Sequence, residues 1–217
     1  MSFKFILLAL CCMLLSSCAV LQDKFLVGYV VLEGHDVYDT GTAVFLPSNA
    51  PSITQRYKPA IIGRSGEPVP GSHDGIDIIG KKGLPVIAPA NGYVSASFWD
   101  PLYGNRLEID HGSDVNGLHT VTRYFHLDKR LVKKGEQVQR GQKIAALGQT
   151  GLLAPNLHLH FEIHESLPLN DRRSLSTLNP HLFWWNGAGL VTCFDQAQDY
   201  SSSIFKMTYP LPCQPKL

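Results

Sequence analysis

The run Leu157-His158-Leu159-His160-Phe161-Glu162-Ile163 constrains the fold more than any other part of the chain. Apolar and polar residues alternate through it, the period of a strand packed on one side only. Leu157, Leu159, Phe161 and Ile163 fall on the face that can join a core. His158, His160 and Glu162 fall on the other, so both imidazoles point into the same open space. Imidazole is the commonest protein metal ligand and the usual proton shuttle near neutral pH. Half-buried strands carry polar residues at alternate positions in any case, so this run alone does not make a site.

A second constellation lies upstream, in His73-Asp74-Gly75-Ile76-Asp77-Ile78-Ile79-Gly80 after Pro70-Gly71-Ser72. A His-x-x-x-Asp pair offers one nitrogen and one carboxylate oxygen, both accepted by zinc. The flanking Pro and Gly leave no room for a helix that would put both on one face. In an ideal strand the two Cα atoms would stand roughly 13 Å apart, too far for one ion with bonds of about 2 Å. A bend is therefore expected, with Gly71 or Gly75 relaxing the backbone as His73 leads into a strand over Ile76–Ile79. A polar turn feeding a buried strand is the plainer reading of this segment. Together the two segments supply His73, Asp77 and His160 as three candidate ligands. One tetrahedral position stays open for water, as in a catalytic zinc site, and His158 sits beside the metal without binding it.

At this point the chain resembles the lysostaphin/LytM-type zinc metallopeptidases that cut peptidoglycan cross-links. Residues Ser52-Ile53-Thr54-Gln55-Arg56-Tyr57 look like the start of that domain, and His73-Asp74-Gly75-Ile76-Asp77 matches the family's His-x-Gly-x-Asp motif. Gly83 through Val94 follows its Gly-x-Pro-Val-x-Ala…Gly-x-Val run, and Tyr103 through Gly112 matches the strand after it. Tyr124-Phe125-His126-Leu127 reproduces Tyr-x-His-Leu. Val132 through Gly151 reproduces its Val-x-x-Gly-x-x-Val-x-x-Gly-x-x-Ile stretch. The motifs occur in the family's order over residues 52–185.

Carried over residue by residue, the resemblance implies that His73, Asp77 and His160 hold one Zn2+ and that His126 and His158 are the catalytic histidines. It implies an endopeptidase acting on peptidoglycan stem peptides through a metal-activated water. The fold implied is mainly β, an antiparallel core of the duplicated hybrid motif type with the metal in a groove across the sheet. There is no His-Glu-x-x-His helix to place a Glu as general base, so His158 is expected toward the water and His126 toward the oxyanion. Glu162 shares their face and is a candidate to orient an imidazole from behind; a solvated strand residue is the alternative. One departure stands out. The family usually has Pro directly before His-x-His, whereas here Asn156 and Leu157 separate Pro155 from His158, which alters the loop entering the strand.

The N-terminus bears on location. Met1-Ser2-Phe3-Lys4 is a basic start, and the apolar run Phe5–Leu15 is too short to span a bilayer comfortably. It ends in Leu15-Ser16-Ser17-Cys18, which resembles a bacterial lipobox. Residues 1–17 are thus expected to be a lipoprotein signal peptide and Cys18 the lipidation site, with residues 18–51 a lipid-anchored extension. A plain secretory signal is the alternative. By the same resemblance, Ala19 after the cysteine favours the periplasmic face of the outer membrane. Cys11 and Cys12 leave with the signal, so Cys193 and Cys213 remain as an even pair in an oxidising compartment. A disulfide closing the extension 186–217 is expected, against two free buried thiols.

Of 217 residues, 19 are Lys or Arg and 18 Asp or Glu; removing Lys4 leaves 18 against 18. A formally neutral chain gives no sign of a nucleic-acid partner. Short strands punctuated by Gly, Pro and Asn are predicted at 25–32, 43–45, 76–78, 85–88, 92–98, 106–111, 120–125, 137–138, 143–147 and 158–165, with a short helix over 179–185. His111, His119, His164 and His181 read as structural or surface residues, Trp184 and Trp185 as core cover. Tyr103, Tyr124 and Phe98 are candidates to line the groove, and His35 is the one residue of the N-terminal extension able to occupy an open zinc position. Two other functions compete with the endopeptidase. A non-catalytic activator of a wall amidase is one, which the five intact residues oppose. A polysaccharide deacetylase, which also uses Asp and His ligands, is the other.

Overall fold

The computed structural model describes residues 29–32, 42–60, 71–166 and 175–215. The expected signal segment, Cys18 and His35 lie outside these residues. Within them the chain is almost entirely β, as the alternation in the sequence requires.

The strands that position the site belong to one sheet of eight, ordered β10-β6-β7-β8-β12-β4-β3 with β13 also on β12. These are β3 (Ile53–Gln55), β4 (Gly75–Ile79), β6 (Gly92–Asp100), β7 (Gly104–Ser113), β8 (His119–Leu127), β10 (Gln137–Val138), β12 (His158–Ser166) and β13 (Leu175–Leu178). Each pairing is antiparallel. A three-stranded sheet of β5 (Pro85–Ile87), β11 (Lys143–Ala146) and β9 (Lys129–Arg130) packs beside it, and β1 (Tyr29–Leu32) pairs with β2 (Val44–Pro47).

The apolar face of β12 does what its pattern requires. Leu159, Phe161 and Ile163 are fully buried against Ile76, Ile78, Leu107, Ile109 and Tyr124. Each such side chain contributes about 1.5–3 kcal/mol relative to an exposed position. The same core takes residues from both flanks of the motif-bearing region: Val44 and Leu46 before it, and Trp184, Val191, Met207, Tyr209 and Leu211 towards the C-terminus. That C-terminal segment is stitched down by backbone bonds from Ile87 N–H to Pro210 O, Thr208 N–H to Pro89 O and Gln214 N–H to Asn49 O. Arg140 clamps it further, donating to the carbonyls of Pro89 and Lys206 beneath the rings of Trp185 and Tyr200.

The predicted strands are present where they fall on described residues, with shifted ends; β6, β7 and β8 run longer than their apolar cores suggest. Three strands had no signal of their own: β3, β9 and β13 are two to four residues long, too short for a period to show. The helix expected over 179–185 is a single 3-10 turn, Pro180–Leu182, capped by the Asn179 side chain accepting from His181 N–H.

Candidate active site

Antiparallel pairing of β12 with β4 sets His160 directly opposite Asp77, and pairing with β8 sets it opposite Phe125. Gly75 stands opposite Glu162, and a Cβ there would overlap the Phe161 carbonyl; only glycine lets the strands approach. The expected bend lies before the strand: Gly71 has φ +104°, and His73 forms an isolated bridge with Lys58 rather than entering β4. Its ring therefore folds back over Asp77.

Three donor atoms converge. His73 Nε2 lies 3.2 Å from Asp77 Oδ1 and 3.1 Å from His160 Nδ1, and His160 Nδ1 lies 2.8 Å from Asp77 Oδ1. The outer nitrogens settle the tautomers, because carbonyl and carboxylate oxygens only accept. His73 Nδ1–H donates to Arg56 O at 2.8 Å, and His160 Nε2–H donates to Glu162 Oε1 at 3.0 Å. In the neutral rings the two inner nitrogens are bare, so their lone pairs and an Asp77 oxygen face one another. Such a cluster of acceptors fits a cation, and a set of two imidazoles and one carboxylate suits zinc.

His158 and His126 stand beside this cluster with their rings 4.8 Å apart. His158 Nδ1–H donates to Asn156 O at 2.9 Å and Nε2 lies 3.7 Å from Asp77 Oδ1. The inserted Asn156, which departs from the family pattern, thus supplies the carbonyl that orients this ring. His126 Nδ1–H donates to Thr150 O at 2.9 Å. Its backbone is left-handed, with φ 60°, which costs roughly 1–2 kcal/mol for a residue with a Cβ. Thr150 holds it there: Thr150 N–H donates to His126 O, and Thr150 Oγ1 donates to Leu127 O at 2.7 Å. Both histidines present a bare Nε2 when neutral.

Burial works against charge on Asp77, but the bonds and charges of His160 and His73 outweigh it and hold the carboxyl well below its usual range. Burial lowers His160, yet its bonds to Asp77 and Glu162 raise it to about 9. Burial disfavours ionised Glu162 too, and the bonds from His160 and His164 bring it down to about 2. His126 is lowered, first by burial and also by the charges of His158 and His160.

Among the groove candidates, Phe98 is 40% exposed and Tyr103 is half-buried, whereas Tyr124 is fully buried on the core face against Phe161. His111 bonds Asn91 O and Thr122 Oγ1, His119 pairs with Asp110, and His181 accepts from Trp184 Nε1–H. His164 is the residue that sequence reasoning missed: it is buried on the site's own face, bonded to Glu162. Its place in the alternation after Glu162 was the available signal. Trp184 is fully buried and Trp185 half-buried. Cys193 and Cys213 are joined in a disulfide.

Residues 71–174 match the profile of peptidase family M23. Peptidoglycan DD-endopeptidase ShyB of Vibrio cholerae is 46% identical over 99 residues, which cover 46% of this chain and 21% of that protein. Murein hydrolase activator NlpD of Escherichia coli is 42% identical over 94 residues, covering 43% of this chain and 23% of that one. The chain thus spans about a fifth of the length of the curated relatives it matches. The solved structure of LytU is 30% identical over 69% of this chain and 88% of its own, with a TM-score of 0.47. Profile, relatives and the ordered motifs agree, and the chain belongs to peptidase family M23, of the lysostaphin/LytM type.

Proposed function

We propose that this chain is a zinc-dependent endopeptidase that hydrolyses the peptide cross-links of peptidoglycan. The observation that carries it is the convergence of His73 Nε2, Asp77 Oδ1 and His160 Nδ1, with each ring's other nitrogen already committed as a donor. These three residues would hold Zn2+. When bound, the ion lowers the pKa of water toward about 7 and polarises a carbonyl as a Lewis acid.

The remaining chemistry belongs to His158 and His126. His158 Nε2, nearer Asp77, takes a proton from the attacking water and passes it to the leaving amine. His126 faces the carbonyl oxygen, and once protonated at Nε2 it donates a hydrogen bond to the charge developing there. Thr150 O and Asn156 O keep both rings in the tautomer that leaves Nε2 open. Glu162 holds the His160 ring from behind.

The relatives named murein hydrolase activators support a second reading, a non-catalytic partner of a wall amidase. The five candidate residues gathered in one place favour the enzyme. We place it in the cell envelope, anchored through Cys18 after removal of residues 1–17, with residues 18–51 a lipid-anchored extension whose Val44 and Leu46 join the core, 52–185 the peptidase domain and 186–217 a disulfide-closed extension. The support is the lipobox-like sequence and the cysteine usage.

The test is digestion of purified cross-linked muropeptides by protein starting at Ala19, read by mass spectrometry, with His160→Ala as control. Zinc-dependent loss of dimers, absent in the control, is expected. Intact dimers from protein that holds no zinc would shift the balance to the activator.

A further inference from the structure

We propose that His164 is a positioning residue for the zinc ligand His160, acting through the Glu162 carboxylate. The inference rests on the zinc reading above. His164 lies on the same strand face as His160 and Glu162 and is only 4% exposed. Its Nε2–H donates to Glu162 Oε2 at 2.6 Å, while Oε1 of the same carboxylate accepts from His160 Nε2 at 3.0 Å. The two oxygens of a carboxylate are rigidly linked, so anchoring one aims the other.

Which nitrogen of His164 donates follows from its surroundings. An ionised carboxylate only accepts, so Nε2 carries the hydrogen. Nδ1 is buried without a hydrogen-bond partner, which is tolerable for a bare lone pair and costly for an N–H. Nε2–H is therefore a donor aimed at one oxygen, with Arg123 Nη1 3.3 Å from the same nitrogen. An apolar side chain of similar volume would fill the same space without leaving a ring nitrogen unpaired, so packing alone does not call for histidine here.

Arg123 reaches toward the same oxygen. Its Nη1 lies 3.9 Å from Glu162 Oε2, and its Nε lies 3.2 Å from Glu108 Oε1. Register explains the meeting, since Glu162 faces Arg123 across β12 and β8, and Arg123 faces Glu108 across β8 and β7. Glu162 is thus held along its own strand by His164 and across the sheet by Arg123. Held this way, it keeps Nε2–H of His160 as its own donor, so that Nδ1 is the nitrogen left to face Asp77 and His73. Released from His164, Glu162 regains its side-chain rotamers, and the His160 ring loses its fixed tautomer and orientation.

The variants His164→Leu and His164→Gln, made in the otherwise unaltered chain, separate positioning from packing. The Gln amide nitrogen stands where Nε2 stood and can still donate. Zinc affinity is measured by competition with a chromophoric chelator, and stability of the metal-free proteins by denaturant unfolding. His164→Leu is expected to bind zinc on the order of tenfold more weakly, with His164→Gln restored close to the parent and no matching trend in metal-free stability. If His164→Leu does not fold, His164→Asn, whose donor is too short to reach Glu162, is expected to show the same loss. Parent-like zinc affinity in Leu or Asn, or a Gln variant as weak as they are, overturns the proposal. A parent protein that holds no zinc overturns the metal reading itself, which is a different result.

Discussion

His73 Nε2 and His160 Nδ1 face each other at 3.1 Å across 87 residues of sequence. Their outer nitrogens are tied to Arg56 O and Glu162 Oε1. Without an ion, a proton on His160 fills the space between the rings and Asp77, which is why that imidazole is raised to about 9 despite its burial.

Zinc bound as proposed would have to displace this proton. A group raised in the metal-free protein competes with the metal below its own pKa. Apparent zinc affinity is therefore expected to fall about tenfold per pH unit, for one proton displaced, as pH drops from about 9 toward neutrality. Chelator competition across that range measures the slope, and a flat profile would contradict the assignment of His160 Nδ1 as a ligand.

His126→Ala and His158→Ala should separate chemistry from metal binding. Each is expected to lower kcat by about 10²–10⁴-fold, with zinc content unchanged. His126 is held below the ordinary histidine pKa, chiefly by burial. Its protonated form, the one that donates to the oxyanion, is consequently lost at lower pH than in a free histidine. If it acts as proposed, it sets a limb of kcat/KM that falls as pH rises, with its midpoint below 6.5, and that limb is absent in His126→Ala.

Gly75→Ala should damage the fold at the site. The added Cβ would overlap the Phe161 carbonyl, a backbone atom that cannot swing away. A loss of about 3 kcal/mol is expected from forcing β4 away from β12, read by denaturant unfolding of the metal-free protein, with zinc binding weakened as the Asp77–His160 register opens.

Replacing Cys193 and Cys213 by serine removes a cross-link spanning 20 residues. Loop-closure entropy puts the loss at about 3 kcal/mol, seen as a lower unfolding midpoint. Because Met207, Tyr209 and Leu211 lie inside that loop and in the main core, the loss should appear in global unfolding, and local release of the tail alone would count against it.

His181 is buried with Nδ1 accepting from Trp184 and Nε2 unpartnered, and desolvation lowers it to about 3. Its folded pKa is depressed below the unfolded value of about 6.5, so the unfolded chain binds more protons in between. The sign follows: its contribution is fully present above about 6.5 and is lost as pH falls toward 3. Unfolding free energy against pH should show this loss, and His181→Asn, which keeps an acceptor for Trp184 without titrating, should flatten it.

Much of the site was legible because its signal is local. Alternation over Leu157–Ile163 announces a strand with His158, His160 and Glu162 on one face, whatever surrounds it, since a period of two is a property of the backbone. The His-x-x-x-Asp spacing, the order of the motifs and the even cysteine pair are equally local. What a side chain meets across the sheet is not. His164 continued the same alternation, yet only the register of β12 against β8 brings Arg123 beside it and Glu162. Tyr124 and Phe125 are neighbours in a motif, and the pleat sends one to the core and the other to the site. The short strands β3, β9 and β13 exist because longer partners offer them an edge. The sequence alone determined which residues are candidates to carry chemistry and which strand faces they share; the tertiary structure decided the tautomers, because those depend on carbonyls of Arg56, Thr150 and Asn156 that carry no side-chain signature at all.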